Sequence, residues 1–203
     1  NAAYRRREEA LKYFASFKAH AIALFYAHKD WVPDKAQASD KAIEFYSLLK
    51  SLFEAFKNYF VTAKHEYFNQ VYDYFNRISA SHESLRKLGV PANEVSRANQ
   101  YLRAMMIEFE RIRNIRMYRS PVSLRAYSQI FLNIFPLLYA PYFAYLCKET
   151  YSVIGYGVAL IYSIVLVSLD NIQEGLEDPF DGIGTDDIKF DVFNEYEVHL
   201  KID

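Results

Sequence analysis

The sequence is poor in the residues that build disulfides, tight turns and thiolate metal sites. Its 203 residues include a single cysteine, Cys147, with six glycines and six prolines. One cysteine excludes an internal disulfide and a cluster of thiolate metal ligands. Few glycines and prolines argue against a turn-rich sheet protein, and a formal net charge of -1 excludes an overall basic surface for nucleic acid. The chain is therefore predicted to be all-α, and its length fits one domain.

The chain also lacks an initiator methionine and a secretory signal. Its first residues are charged, and they lead into an amphipathic segment rather than into a short apolar core. We therefore expect that the sequence begins inside a longer natural chain.

Three amphipathic helices are predicted in the first part of the chain, because apolar residues recur there every three to four positions. Pro33 ends the first helix, Asp40 is predicted to cap the second, and a turn at residues 88–91 precedes the third. The predicted helices run from Ala3 to about His28, from Asp40 to about Ser79, and from Asn93 through Ile112.

The chain changes character after Tyr118. No charged residue occurs from 126 to 147 or from 150 to 169, and each run is close to the roughly 20 residues that span a hydrocarbon core. Two such runs so close together predict a membrane-crossing helical hairpin between Ser120 and Asp170.

Aromatic residues and prolines refine this hairpin. Pro136 and Pro141 predict a kink, which a membrane span tolerates. Tyrosines collect toward the predicted loop, where amphipathic rings favour the water interface: Tyr139, Tyr142, Tyr145 and Tyr151. The alternative is a pair of helices fully buried in a large soluble core.

Charge predicts the orientation of the hairpin. Five arginines precede the first span with no acidic residue after the first of them: Arg111, Arg113, Arg116, Arg119 and Arg125. The positive-inside tendency places this end, and hence both ends of the hairpin, in the cytoplasm or its equivalent. The same arginines could instead form a solvated helix face or pair with acidic residues that follow the second span, and the three roles are compatible.

The segment after the second span is acidic and carries a familiar motif. Every charged residue from Asp170 to Asp187 is acidic, which suits a solvated tail, a partner for the arginines, or a loop of oxygen ligands for a divalent cation. The motif Glu177-Asp178-Pro179-Phe180, followed by Asp186 and Asp187, resembles the acidic motif after the last membrane helix of bestrophins. The segment Asn1-x-Ala3-Tyr4-x-Arg6 and the stretch Ser120-Pro121-Val122-Ser123-Leu124 also resemble bestrophin segments in the same order.

This resemblance implies an integral membrane helical bundle with a cytosolic helical part. It implies a single, incomplete bestrophin-like domain over residues 1–203. Residues 1–119 would be mainly cytosolic amphipathic helices, residues 120–170 the transmembrane hairpin, and residues 171–203 an acidic cytosolic tail. In the family the channel is a homopentamer with four membrane helices per subunit and an axial anion pore, such as one for chloride. The first membrane helix and the narrow neck of the pore would then precede Asn1.

The resemblance also suggests individual site residues. Val122 and Leu124, at the start of the first span, are the candidates for an apolar pore constriction, because a hydrophobic ring can gate by excluding water. Packing against a neighbouring helix is the equally open alternative for both. Asp186 and Asp187 are the nearest equivalents of the residues that hold calcium in animal bestrophins, although the loop lengths differ and Asp181 replaces a glycine common in the family.

Other classes of function have less support in the sequence. A non-conducting assembly or regulatory module of a larger membrane protein remains an alternative to a channel. The five histidines are scattered, and neither a phosphate-binding glycine loop nor a nucleophile elbow occurs, so no enzyme is predicted. Anionic lipid headgroups suit the arginines near the span better than nucleic acid does. The expected partners are therefore further copies of the chain and membrane lipids.

Overall fold

The computed structural model describes residues 2–118, 122–149, 152–177, 179–180, 187–190, 193–196 and 200. Within these ranges every regular element is a helix, so the all-α prediction is confirmed. The helices are α1 (Ala2–Asp30), α2 (Lys35–Thr62), α3 (His65–Lys87), α4 (Ala92–Met117), α5 (Val122–Glu149), α6 (Ser152–Glu177) and the short α7 (Phe193–Tyr196).

Two predicted helix boundaries were wrong, and both lie in α2. The cap is Asp34 rather than Asp40: its carboxylate accepts a hydrogen bond from the backbone N–H of Ala36 at 2.9 Å. Asp34 follows a proline and is free to take the extended geometry of a cap, whereas Asp40 lies inside the helix. The predicted long helix to Ser79 is two helices, because Ala63 takes a left-handed conformation with φ 57° and ends α2.

This break lets α3 fold back along α2, and α4 then packs against both α1 and α3. The turn before α4 is the predicted one. Gly89 has φ 89°, a conformation that side chains other than hydrogen rarely allow, and the backbone N–H of Val90 reaches the carbonyl of Leu85 at 3.2 Å. The first four long helices therefore form one bundle, which we call the helical body.

The core of the helical body is built mainly from phenylalanine rings. Phe56 contacts the rings of Phe17 and Phe60 with centroid separations of 4.8 and 4.6 Å, and Phe109 of α4 lies 5.7 Å from Phe56. Such pairs add about 0.5–1.5 kcal/mol each beyond the burial of their surface. The aromatic richness of the sequence is therefore used to fill the core.

The hairpin of α5 and α6 has the opposite surface. Its segments Gln129–Lys148 and Gly155–Ile172 are long and apolar enough to cross a membrane, yet only 0% and 6% of their residues are buried. Leucines such as Leu137 and Leu160 are 75% and 62% exposed. Within the described residues the apolar hairpin is not enclosed by the rest of the fold, which favours a membrane location over a pair of helices buried in a soluble core.

Candidate functional site

The two long apolar helices meet closely at their shared loop. A Cβ atom placed on Gly155 of α6 would lie 2.8 Å from the backbone nitrogen of Cys147 and would also overlap its Sγ atom. Real Cβ atoms do not approach backbone that closely, so Gly155 allows the contact that closes the hairpin. Cys147 is half-buried beneath this contact.

A ladder of aromatic rings runs along α5. Ring centroids are 4.0 Å apart for Phe131 and Phe135, and 5.5 Å apart for Phe135 and Tyr139. Tyr162 of α6 joins the ladder, since its ring lies 5.6 Å from both Tyr139 and Phe143. Residues four apart in a helix are neighbours on its surface, and this spacing produces the continuous ladder. The rings therefore stiffen α5 and connect it to α6.

The tyrosines and prolines of the hairpin lie where the sequence placed them. Tyr139, Tyr142 and Tyr145 are exposed on the loop-side half of α5, while Tyr151 is outside the described residues. Pro136 and Pro141 lie inside α5, which continues through both of them. The kink itself stays a prediction.

The arginines before the hairpin pair largely within the helical body. Arg111 and Arg113 form ion pairs with Glu108 and Glu110 of the same helix, at 3.2 and 2.9 Å. The Nε atom of Arg113 also donates to the hydroxyl of Tyr59 at 3.2 Å. Within the described residues, these two arginines therefore pair along one helix face, and pairing with the acidic segment after the second apolar run stays a prediction.

Two further arginines secure the junction between body and hairpin. The guanidinium of Arg6, in α1, donates to the backbone carbonyls of Ile115 and Tyr118, which end α4. The last carbonyls of a helix generally lack intrahelical partners, and the arginine serves these two as a cap. Arg116 places its guanidinium over the ring of Phe180 at 6.0 Å. Arg119 lies outside the described residues, as does the side chain of Arg125.

Glu110 of α4 also binds a tyrosine of α3. The hydroxyl of Tyr72 donates to the carboxylate of Glu110 at 2.6 Å. Burial, together with this hydrogen bond to the carboxylate, raises the pKa of Tyr72 to about 12. Tyr72 therefore stays protonated and keeps α3 attached to α4 over the whole physiological range.

The motif after α6 is anchored in the core rather than solvated throughout. Phe180 is 2% exposed, with its ring centroid 5.3 Å from that of Phe60 and 6.1 Å from that of Phe190, nearly parallel to the latter. The N–H of Ile188 donates to the carbonyl of Pro179 at 2.9 Å and closes the acidic segment into a loop. Its ends are therefore pinned to the helical body.

The chain beyond this loop continues across the helical body as an aromatic strap, which we define as residues 187–200 where described. Phe193 of α7 contacts Tyr46 and Phe53 of α2 with centroid separations of 5.2 and 5.6 Å. Leu200 is 3% exposed, and the ammonium of Lys18 lies 5.5 Å above the ring of Tyr196. The predicted acidic tail is therefore a packed segment where the structure describes it.

The predicted site residues lie only partly within the described structure. The side chains of Val122 and Leu124 are outside the described residues, although both belong to the first turn of α5. In the acidic motif, Pro179 and Phe180 are buried, while Asp178 and the side chain of Glu177 lie outside. Of the calcium candidates Asp187 is described and partly exposed, and Asp186 is not. Among the described residues no group of three His, Cys, Asp or Glu side chains could hold a metal.

Sequence reasoning missed a buried histidine pair in the helical body. His28 and His82 are 0% and 1% exposed, and their ring centroids are 5.7 Å apart. His28 lies at helical spacing after Ala21 and Leu24, and His82 at helical spacing between Ile78 and Leu85. This periodicity could have placed both on buried faces. Desolvation lowers the pKa of both imidazoles, that of His28 to about 3.

The arrangement around His28 is structural rather than catalytic. Its Nδ1 donates to the carbonyl of Leu24 at 2.7 Å, which leaves Nε2 as an acceptor 2.9 Å from the Ser81 hydroxyl, whose single proton it shares with the carbonyl of Ile78 at 2.7 Å. A serine beside a histidine has the first geometric feature of a nucleophile, but an imidazole with a pKa near 3 is too weak a base to activate it at neutral pH. The pair instead ties α1 to α3.

Comparisons with known proteins show what the whole arrangement resembles. No protein-family model matches the sequence, and no curated protein matches it at the level that marks a relative. Solved structures do match the fold. A bacterial bestrophin homologue from Klebsiella pneumoniae carrying one mutation superposes with a TM-score of 0.78 at 17% identity, over 98% of this chain and 80% of that one.

Two other solved structures give the same result. A second mutant of the Klebsiella pneumoniae homologue matches with a TM-score of 0.75 at 17% identity, and a structure described as a membrane protein matches with 0.76 at 16%. Each match covers 98% of this chain and 78% of the other. Identity this low speaks for the fold alone. The resemblance first read from the acidic motif is thus confirmed at that level: this chain has the bestrophin fold.

Proposed function

We propose that this chain is a subunit of an oligomeric anion channel that conducts passively through an axial pore. The observation that carries the proposal is the likeness of fold to bestrophin homologues over 98% of the chain. The uncovered apolar hairpin supports it independently, because so much apolar surface needs lipid or another protein chain to cover it.

The finer features of the proposal follow from the sequence. Five copies would surround the pore with chloride or another anion as the permeant ion, both ends of the hairpin would face the cytoplasm, and Val122 and Leu124 would line the cytosolic constriction. Their place in the first turn of α5, directly after the junction, supports this role. Calcium at Asp186 and Asp187 is proposed as a regulatory ligand, since carboxylate oxygens are the ligands that calcium prefers.

Electrophysiology on the complete protein in planar bilayers tests the proposal. Replacing chloride with a large organic anion should shift the reversal potential, whereas replacing sodium with a large organic cation should not. Val122→Ala and Leu124→Ala should each change conductance or selectivity. A smaller side chain widens the apolar ring and weakens its exclusion of water. Leu137→Ala is the matched control, since this leucine lies on the same helix and is 75% exposed.

Three outcomes would contradict parts of the proposal. A flat record under all ionic conditions would favour a non-conducting assembly or regulatory module. Unchanged currents in both alanine variants would remove Val122 and Leu124 from the pore. Currents that do not respond to calcium, or that respond equally in Asp187→Asn, would remove the acidic loop from regulation.

A further inference from the structure

A cavity of about 500 Å³ opens between α2 and α3, on elements other than the hairpin. The end of α1 forms its floor. The residues that matter for its chemistry are His28, Lys41, Phe45, Tyr74, Arg77 and Ser81. At about 30 Å³ for each non-hydrogen atom, the space suits a small organic molecule of roughly 15 such atoms.

The floor of this cavity is rigid and uncharged. The imidazole of His28 stacks on the ring of Phe45 with centroids 3.7 Å apart and planes inclined by 12°. Both ring nitrogens are hydrogen-bonded, one to Leu24 and one to Ser81. His28 and Phe45 are 0% and 1% exposed, so this stacked pair fixes the shape of the floor, and the partly exposed side chains of Leu48 and Tyr74 offer the apolar surface.

The walls carry serine hydroxyls whose protons are donated to backbone carbonyls of α2. Ser47 donates its hydroxyl to the carbonyl of Ile43 at 3.2 Å, and Ser51 donates to the carbonyl of Ser47 at 3.0 Å. Leu48 contributes an apolar side chain between them. The walls therefore define the shape of the cavity and add weak polarity. The charge of a bound molecule must be recognised by other lining residues.

Two cations and one acid supply the charge that lines the cavity. Lys41 pairs with Glu44 at 2.6 Å, and the Nε atom of Arg77 pairs with Asp73 at 2.9 Å. Tyr74 supports Arg77 from its own helix, with the guanidinium carbon 5.4 Å from the ring centroid. Asp73 is not part of the lining, so Lys41 and Arg77 outnumber Glu44 there.

These ion pairs can be exchanged for a ligand. The carboxylates of Glu44 and Asp73 are 67% and 52% exposed, and such surface pairs are worth only about 0–1 kcal/mol. Arg77 uses its Nε atom to pair with Asp73. The guanidinium carries further N–H donors in a fork that matches a carboxylate. A ligand carboxylate over the cavity would therefore take the place of the surface acids as the partner of Lys41 and Arg77.

We propose that this cavity binds a small organic carboxylate, with its apolar body against Leu48 and Tyr74 and its carboxylate between Lys41 and Arg77. The site uses neither of the proposed pore residues Val122 and Leu124, and its binding test does not depend on conduction. The ligand carboxylate can belong to a free small acid or to the C-terminus of a peptide, and the size of the cavity favours the free acid.

Binding to the full chain in lipid nanodiscs, measured by calorimetry, tests the site. Three probes share one aromatic body and differ in charge: phenylacetate, phenylacetamide and phenethylammonium. Phenylacetate should bind at least about tenfold more tightly than the other two, which corresponds to about 1.4 kcal/mol. Arg77→Gln should weaken phenylacetate by about tenfold, because the fork that holds the carboxylate is lost.

Arg86→Gln is the matched control, because Arg86 also lies on α3 and pairs with an acid one turn away, Glu83, at 2.7 Å, but does not line the cavity. It should leave binding unchanged. Ala80→Phe, which fills the cavity from α3, should abolish binding of all three probes. Equal affinity for the acid and the amide, tighter binding of the ammonium, an unaffected Arg77→Gln variant, or tighter binding of an alanyl-phenylalanine peptide than of phenylacetate would each overturn the proposal.

Discussion

Two of the histidines, His28 and His82, serve as buried connectors between helices. His28 of α1 accepts from Ser81 of α3, and His82 of α3 lies 2.8 Å from the side-chain oxygen of Asn99 of α4 through its Nδ1. Both imidazoles are desolvated, so their unprotonated form is the one that fits the core. Three helices are thereby joined by two side chains that must not take up a proton.

Acidification should therefore destabilise the helical body through His28. Its pKa falls from 6.5 to about 3 on folding, chiefly through burial, with smaller contributions from its neighbours His82 and Lys41. The unfolded chain binds a proton near pH 6.5 while the folded chain does not, so the stabilisation is complete above that pH and declines as pH falls toward 3. The free energy of unfolding should decrease by about 1.4 kcal/mol per pH unit in this window.

Denaturant titrations of the chain at several pH values measure this slope. His28→Phe, which retains an aromatic ring against Phe45, should flatten the dependence by that amount. His65→Phe should not, because His65 is exposed at the start of α3. An identical pH dependence in the parent and His28→Phe chains would show that His28 is not the titrating group.

At the residue scale, sequence reasoning recognised residues whose surroundings are local. The acidic motif could be recognised because its spacing is contiguous, and the buried position of Phe180 was not predicted, since it depends on contacts with distant Phe60 and Phe190. Arg111 and Arg113 pair with acids three residues earlier on the same helix, and this pairing was not predicted although the spacing is local. The cavity beside His28 was not predicted either, because it forms between helices.

Among the elements, the pair α2 and α3 shows most clearly what local pattern can and cannot specify. Periodicity placed apolar residues on one face through both helices, and that part of the prediction holds. It could not locate the break at Ala63, because neither glycine nor proline marks it and the left-handed residue is an alanine. The gain from packing α3 back on α2 overrides the small cost of that conformation.

The hairpin of α5 and α6 should depend on Gly155 far more than on Gly157. Gly155→Val would place side-chain atoms against the backbone of Cys147, whereas a Cβ on Gly157 meets nothing within 4 Å. Overpacking of this kind costs about 1–3 kcal/mol. The measurement is equilibrium unfolding in mixed micelles.

Gly157→Val is the internal control for that experiment and should change stability by no more than about 0.5 kcal/mol. Equal effects of the two substitutions would mean that loss of helix flexibility, rather than the close approach to Cys147, governs the hairpin.

At the scale of the whole molecule, the helical body with its aromatic core is joined to an uncovered apolar hairpin at both ends of that hairpin. The two long apolar helices could be predicted from the sequence because a long uncharged run is a direct property of composition. The orientation rests on charge alone and stays a prediction. The predicted orientation places the helical body and the loop between α5 and α6 on opposite sides of the membrane.

Impermeant thiol labelling in sealed vesicles measures this topology. In a Cys147→Ser background, Lys148→Cys and Lys50→Cys each add one exposed cysteine, at the loop end of α5 and on α2. Each should be labelled from one side only, and the two sides should differ. Labelling of both from the same side would place the body and the loop together and would refute the hairpin topology.

The position of Phe180 has a mechanical consequence. It lies three residues beyond the end of α6 at Glu177, so the intervening chain reaches at most about 10 Å even when fully extended. At the start of the hairpin, the guanidinium of Arg6 donates to the carbonyl of Tyr118 at the end of α4, a few residues before α5 begins. Both ends of the hairpin are therefore held close to the helical body. A tilt of the hairpin should change the packing of Phe180 against Phe60.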